Sequence, residues 1–123
     1  MNTPDNRRPA LSPSLLMKGQ AIPLQRMSQL EGHESSGHVD LRPMMVGEDM
    51  LMVEIHEKAG VRVPTHVHHD HESIVYLIQG RMKLVIGEQH FEAVAGDAWR
   101  HPAGVPHYSE ALEDCLAIEV KSP

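Results

Sequence analysis

From Val39 onward, the sequence is a series of short apolar or alternating segments separated by glycine and proline. No stretch keeps the 3.6-residue spacing of an amphipathic helix for three turns. Segments such as SIVYLIQ and RMKLVIG, with a single glycine between them, are typical of strands joined by a tight turn. Turn residues recur about every ten positions, and this spacing predicts an all-β sandwich or barrel.

The length of the chain limits its domain organisation. Its 123 residues are enough for one domain with a modest core, but not for two. Residues 1–20 contain three prolines among polar residues, and we predict a flexible tail there, followed by a single domain over residues 21–123. The first strand is expected near residues 22–27. The sequence GHESSG at residues 32–37 is predicted to be a loop.

Charge and apolar content argue against two kinds of partner. The formal net charge is −6 and no basic stripe is present, so we expect no nucleic-acid binding. The longest apolar runs are only a few residues long, which predicts no membrane span. The single cysteine, Cys115, cannot form an intrachain disulfide and fits a cytoplasmic protein. Its position within CLAIEV predicts a buried thiol rather than a nucleophile.

The shortness of the predicted barrel indicates self-association. Such a barrel has a small core, and its edge strands present unpaired backbone groups, so we predict a homodimer. Association is expected through the strands between about Ile22 and Val53. Four methionines would give that surface apolar area: Met44, Met45, Met50 and Met52.

The stretch THVHHDHES, residues 65–73, concentrates four histidines and two carboxylates in nine positions. It is either a polar surface loop or a metal site. His66 and His68 are two residues apart and would face the same side of a strand. Neutral imidazole is the commonest metal ligand in proteins. Far downstream, His107 ends the rigid corner PAGVPH and is a candidate third ligand.

Two longer stretches carry a family resemblance. GVRVPTHVHHDHESIVYLIQG and GDAWRHPAGVPH resemble the two signature motifs of the cupin superfamily, in the expected order. The resemblance implies a small double-stranded β-helix, or jelly-roll barrel. It also implies one ion in the pocket, held by His66, His68 and His107, with coordination positions left open for water or a substrate. Such a ligand set suits Fe(II), Mn(II), Ni(II) or Zn(II).

The fourth ligand is open to four interpretations. Cupins of this kind usually place it so that six residues separate it from the closing glycine, and counting back from Gly80 gives Ser73 here. Strand parity likewise puts Ser73 and Glu72 on opposite faces. A bulge would turn Glu72 inward, and we predict Glu72 as the fourth ligand on that basis. His71 is a third contender, and a site of three histidines plus water is the remaining alternative.

The resemblance leaves the function open between enzymes and binding proteins. We predict a metal-dependent enzyme that performs an isomerase- or lyase-type reaction on a small hydroxy-carbonyl or sugar-acid substrate, with His71 or His101 as the base. The sequence HESIVYLIQG is similar to the corresponding segment of small cupins that convert unsaturated uronates to open-chain keto forms. The alternatives are an Fe(II) dioxygenase-type cupin and a non-catalytic cupin that binds a small molecule.

Overall fold

The structure is a computed structural model and describes residues 10–30 and 33–122. Within these ranges the chain forms ten strands and one short 3₁₀ turn, at Gly19–Ala21. The strands are β1 (Gln25–Leu30), β2 (His33–Val46), β3 (Leu51–Glu57), β4 (Arg62–His66), β5 (Ser73–Gln79), β6 (Arg81–Ile86), β7 (Gln89–Val94), β8 (Ala98–His101), β9 (His107–Ala111) and β10 (Cys115–Lys121). The prediction of an all-β protein is confirmed.

The strands form two sheets that share β2. The first sheet has the order β1-β2-β3-β10-β5-β8, and the second has the order β2-β4-β9-β6-β7. All these pairings are antiparallel. This order is consistent with the predicted jelly roll. The terminal strands β7 and β8 are not paired with each other among the described residues, so hydrogen bonds do not close the two sheets into a barrel.

The start of the first sheet differs from the sequence prediction. Residues 33–37, which were predicted to be a loop, lie in β2, because backbone pairing with β1, and with β4 at Ser36 and Arg62, outweighs their glycine- and serine-rich composition. Residue 32 lies outside the described residues. The first strand begins at Gln25 rather than near residue 22, after Pro23, which has no N–H group to donate.

Part of the predicted tail contacts the first sheet. The backbone N–H of Ser12 donates to the carbonyl oxygen of Val46 over 3.1 Å, and the N–H of Val46 donates to Ser12 Oγ over 2.8 Å. Residues 1–9 lie outside the described residues. The division into a tail and a single domain from residue 21 stays a prediction.

The core lies between the two sheets and is built from small and medium side chains. Strand β5 shows the alternation clearly, since Ser73, Val75 and Leu77 are at most 4% exposed while the residues between them are exposed. The core cluster comprises Val39, Val61, Val63, Val75, Leu77, Met82, Leu84, Ala93, Ala111, Cys115 and Ala117. Cys115 is buried there as predicted, and burial raises the pKa of its thiol.

The turn between β5 and β6 requires glycine. Gly80 has a φ of 97°, in the left-handed region that side chains disfavour. A Cβ atom at this position would lie 2.4 Å from the carbonyl oxygen of Asp114 and 2.7 Å from Cys115 Sγ. The turn therefore packs directly on the loop before β10.

No helix in residues 10–30 and 33–122 is long and apolar enough to cross a membrane.

Candidate metal centre

Three histidines from the two motifs converge at one end of the space between the sheets. His66 ends β4, His107 begins β9, and the two are paired across the strands. His68 follows β4, and its carbonyl oxygen accepts a hydrogen bond of 2.7 Å from the N–H of Gly104, in the predicted corner. One potential ligand atom from each histidine lies within 4.8 Å of those of the other two.

Backbone carbonyl groups orient two of these rings. Nδ1 of His66 lies 2.9 Å from the carbonyl oxygen of Pro64, and Nδ1 of His107 lies 3.3 Å from that of Val105. A carbonyl oxygen only accepts hydrogen bonds, so each Nδ1 carries the proton and donates. The lone pair is then on Nε2, which makes Nε2 the ligand atom in both residues.

The donor set fits a divalent transition metal. Imidazole nitrogens bind such ions at about 2.1 Å, so the nitrogens of a tetrahedral site lie about 3.4 Å from one another. The three ligand atoms lie within 4.8 Å of one another, so each pair is at most about 1.4 Å beyond this spacing. His66, His68 and His107 are therefore positioned to bind a metal. Three neutral ligands leave further coordination positions for water or a substrate.

The structure places Glu72 on the outside of the molecule. Its carboxylate lies 3.3 Å from the guanidinium of Arg100, and both side chains are more than half exposed. The predicted bulge is absent, because β5 pairs with β8 in regular register from Ser73 to Tyr76. Regular pleating then turns Ser73 inward and Glu72 outward. The structure therefore does not bring Glu72 into the group formed by His66, His68 and His107.

His101 lies inside the pocket, where its two ring nitrogens have protein partners. The indole N–H of Trp99 donates to Nε2 over 3.2 Å, so the neutral ring carries its proton on Nδ1, which donates to Ser73 Oγ over 2.9 Å. The ring stacks on His107 with a centroid distance of 3.9 Å and an interplanar angle of 6°. Burial first, and then the nearby histidines led by His107, lower the pKa of His101 to about 3.

His71 lies at the edge of the histidine group. Its ring centroid is 4.5 Å from that of His68, and its side chain is 16% exposed. Nδ1 of His71 lies 3.1 Å from a carboxylate oxygen of Asp70. The two predicted bases thus differ in setting, since His101 is enclosed and His71 adjoins both the histidine group and solvent.

The sequence analysis missed two carboxyl groups in the same pocket. Glu57, at the end of β3, is 7% exposed, and Glu119, on β10, has an 18% exposed side chain. Both line the cavity that contains the three histidines. Strand alternation contained the signal for Glu57, because Val53, Ile55 and Glu57 occupy one face of β3 and the first is buried core.

The chain belongs to the cupin family. The family model for the cupin domain matches residues 52–120, from β3 to the end of β10. This stretch contains both motifs and the three histidines. No curated protein matches this chain.

Several solved structures have a fold similar to that of this chain. A predicted oxalate decarboxylase from Thermotoga maritima has a TM-score of 0.77 at 20% identity, over 88% of this chain and 98% of that one. KdgF from a Halomonas species has a TM-score of 0.75 at 23% identity, over 89% and 94%. An RmlC-like cupin from Shewanella frigidimarina has a TM-score of 0.77 at 17% identity, over 89% and 91%. At these identities the similarity shows the fold alone.

Proposed function

We propose that this cupin is a mononuclear metal-dependent enzyme that performs an isomerase- or lyase-type reaction on a small hydroxy-carbonyl or sugar-acid substrate. The observation that carries the proposal is the convergence of His66, His68 and His107 on one point of an internal cavity. The cavity measures about 110 Å³. It therefore suits a small ligand, since a single water occupies on the order of 10–15 Å³ on the same measure.

Different histidines of the pocket have the roles of metal binding and proton transfer. A divalent transition metal (Fe, Mn, Ni or Zn) held by the three ligands supplies a Lewis acid for a substrate carbonyl or hydroxyl oxygen. His71 is the proposed base, because its ring adjoins that of His68 and its Nδ1 donates to the Asp70 carboxylate over 3.1 Å, which leaves the lone pair on Nε2 to accept a proton.

We assign a positioning role to His101. An acceptor for a substrate proton needs a lone pair that faces the substrate, whereas the lone pair of His101 faces the indole N–H of Trp99. Its low pKa keeps the ring neutral above about pH 3. A neutral ring stacked on His107 holds that ligand in place without adding positive charge beside a cation.

We also propose that the protein is a cytoplasmic homodimer. Paired residues across the outer face of the first sheet form an apolar patch, in which Val120 lies between Met52 and Ile74 while Ile118 pairs with Tyr76. Met52, Ile74 and Tyr76 are 41%, 52% and 50% exposed. A second copy of this chain would cover them. The patch adjoins the surface that the sequence predicted for association.

Metal analysis followed by assays of turnover tests the enzymatic proposal. Protein made without an affinity tag should contain about one equivalent of a first-row divalent metal per chain after reconstitution. The metal-loaded protein is then incubated with keto, hydroxy and uronic acids, with and without oxygen, and products are followed by mass spectrometry. Oxalate belongs in this panel because a structurally similar protein is described as a predicted oxalate decarboxylase.

The outcomes separate the three candidate functions. Turnover without oxygen supports the isomerase or lyase. Turnover that requires oxygen transfers the assignment to a dioxygenase. Saturable binding without turnover in fully metal-loaded protein indicates a non-catalytic binding protein. Less than a tenth of an equivalent of metal after reconstitution contradicts both metal-dependent enzymes and leaves the non-catalytic binding protein.

A further inference from the structure

Glu57 is a buried carboxyl group without a full set of partners. It is 7% exposed, and its Oε2 atom has no hydrogen-bond partner among the described residues. A buried polar atom that lacks a partner destabilises the folded state, because it has given up its hydrogen bonds to water without replacing them. Such an atom in a cavity wall is a recognised place for a ligand or water to bind.

Glu57 lines two cavities, and one of them is the cavity that holds the three histidines. Glu57 lies at the end of β3 that pairs with Cys115, whereas Glu119 lies towards the other end of β10, opposite Val53. Oε2 of Glu119 is 3.9 Å from Nδ1 of His101. The cavity therefore extends from the histidine group, past Glu119, to Glu57.

The protonation of Glu57 supports a role as a hydrogen-bond donor. Burial first, and then the negative charge of Glu119, raise the pKa of Glu57 to about 7. Near neutral pH, a large share of the Glu57 side chain is then a carboxylic acid, which donates one hydrogen bond and accepts others. Glu119 adds a carboxylate that only accepts. Together they match the donor and acceptor character of hydroxyl groups.

We propose that Glu57 and Glu119 form a second polar subsite of the pocket, which binds the hydroxyl groups of a small hydroxylated carboxylic acid. This inference rests on the proposed function in one respect, because the carboxylate end of that ligand is assigned to the three-histidine group. The pocket then has two poles. The histidine end would be cationic with a metal bound and would then receive the acid group of the ligand, while the end with Glu57 and Glu119 selects for hydroxyls along its carbon chain.

Matched pairs of acids with and without hydroxyls test the subsite. Calorimetric titration of the metal-loaded protein compares glycerate with propionate, threonate with butyrate, and gluconate with hexanoate. The wild type should prefer the hydroxylated member of at least one pair by about tenfold or more. The shortest pair that shows the preference reports the span between the two poles.

Three variants locate this preference. Glu57→Met conserves volume and removes both hydrogen-bonding atoms, so the preference should fall to within about twofold. Glu57→Gln keeps a donor and an acceptor and should retain it within about threefold. Glu88→Met is the matched control, since Glu88 is exposed in the turn after β6 and should bind as the wild type does.

A second readout keeps this test separate from the metal proposal. The side-chain carboxyl resonance of Glu57, assigned in glutamate-labelled protein by its absence from Glu57→Gln, should shift with gluconate and not with hexanoate, with or without metal. If the wild type takes up no metal, the proposed function fails while this comparison still decides the subsite. A preference that persists in Glu57→Met, or a Glu57 resonance equally insensitive to both acids, overturns the subsite.

Discussion

The hydroxyl oxygen of Ser73 lies 2.9 Å from Nδ1 of His101, at the position where cupins of this kind usually place a metal ligand. Ser73 is 2% exposed, so this hydrogen bond forms inside the protein. It fixes the tautomer of a ring that is stacked on His107. Ser73, at the expected position of the fourth ligand, thus contacts His101, and His101 in turn packs against the proposed ligand His107.

Ser73→Ala should weaken metal binding more than Glu72→Ala. The serine variant leaves a buried imidazole N–H without its acceptor, which costs about 1–3 kcal/mol, and loosens the ring against His107. The Glu72–Arg100 pair is more than half exposed and contributes less than about 1 kcal/mol. Chelator competition gives the metal affinities. The sequence analysis implied the reverse order, and observing that order would restore Glu72 as a ligand.

His107→Ala should lower the metal affinity by at least about 100-fold. Loss of a residue that only hydrogen-bonds to a metal ligand costs about 10–100-fold in affinity, and loss of a ligand itself should cost more. His107 provides one of only three imidazoles in the group. His90→Ala is the control, since His90 is exposed on β7. Equal losses in both variants would mean that binding is dispersed over surface histidines.

Gly80→Ala should destabilise the protein more than Gly96→Ala. Both glycines have a φ of 97°, so both substitutions carry the backbone strain of about 1–2 kcal/mol. A Cβ atom at Gly96 meets nothing within 4 Å, whereas one at Gly80 meets the Asp114 carbonyl oxygen at 2.4 Å. The difference between their urea midpoints measures the steric part alone. Equal midpoints would show that the loop before β10 moves aside for the added Cβ atom without a loss of stability.

The metal-free wild type should lose stability relative to Glu57→Gln as the pH rises from about 4.5 to about 7. The folded state holds the proton of Glu57 up to a pKa of about 7, while the unfolded state releases it near the ordinary value of 4.5. Between these values Glu57 makes the folded state bind more protons, so the contribution of this one group to stability decreases with pH, by at most on the order of 3 kcal/mol. Urea denaturation across this range measures the difference between variant and wild type.

Other titratable groups near Glu57 make the comparison with the variant necessary. Glu119, Lys121 and the pocket histidines share its cavity, and a second cavity that Glu57 also lines contains Asp40, His56, Lys58 and Asp114. Their contributions are present in the wild type and in Glu57→Gln alike. An identical pH dependence in the two proteins would place the Glu57 pKa near its ordinary value.

Tyr76→Lys should convert the proposed homodimer into a monomer. Tyr76 is 50% exposed on the apolar outer face of the first sheet, where a charge would have to be buried on association. Phe91→Lys makes the same change at a 46% exposed site on the second sheet and should leave the dimer intact. Light scattering at micromolar concentration distinguishes these masses. A monomeric wild type would refute the dimer.

The sequence predicted those parts of the fold and site that local chemistry determines. Strand alternation placed Ser73 on the inner face of β5, and the spacing of two motifs brought together His66, His68 and His107. Glu72 was placed wrongly because the prediction assumed a bulge at the start of β5. Whether a bulge forms depends on how β5 pairs with β8, and no local sequence signal indicates that pairing.

Long-range pairing explains the remaining differences. The segment at residues 33–37 has the composition of a loop, and only its partners β1 and β4 make it a strand. Glu57 was missed for a similar reason. A glutamate at the end of an alternating segment is usually solvated, and its burial here follows from β10 pairing alongside β3.

The place of β10 in the first sheet also bears on how the chain folds. This strand lies between β3 and β5, and its residue Ala117 pairs with Ile55, about sixty positions earlier in the chain. Until β10 pairs with them, β3 and β5 each present an unpaired edge, and Glu57 lacks its neighbouring strand in the sheet. Closing so long a loop slows folding, so we expect the pocket to form in the final, rate-limiting step, during which the exposed edges are open to aggregation.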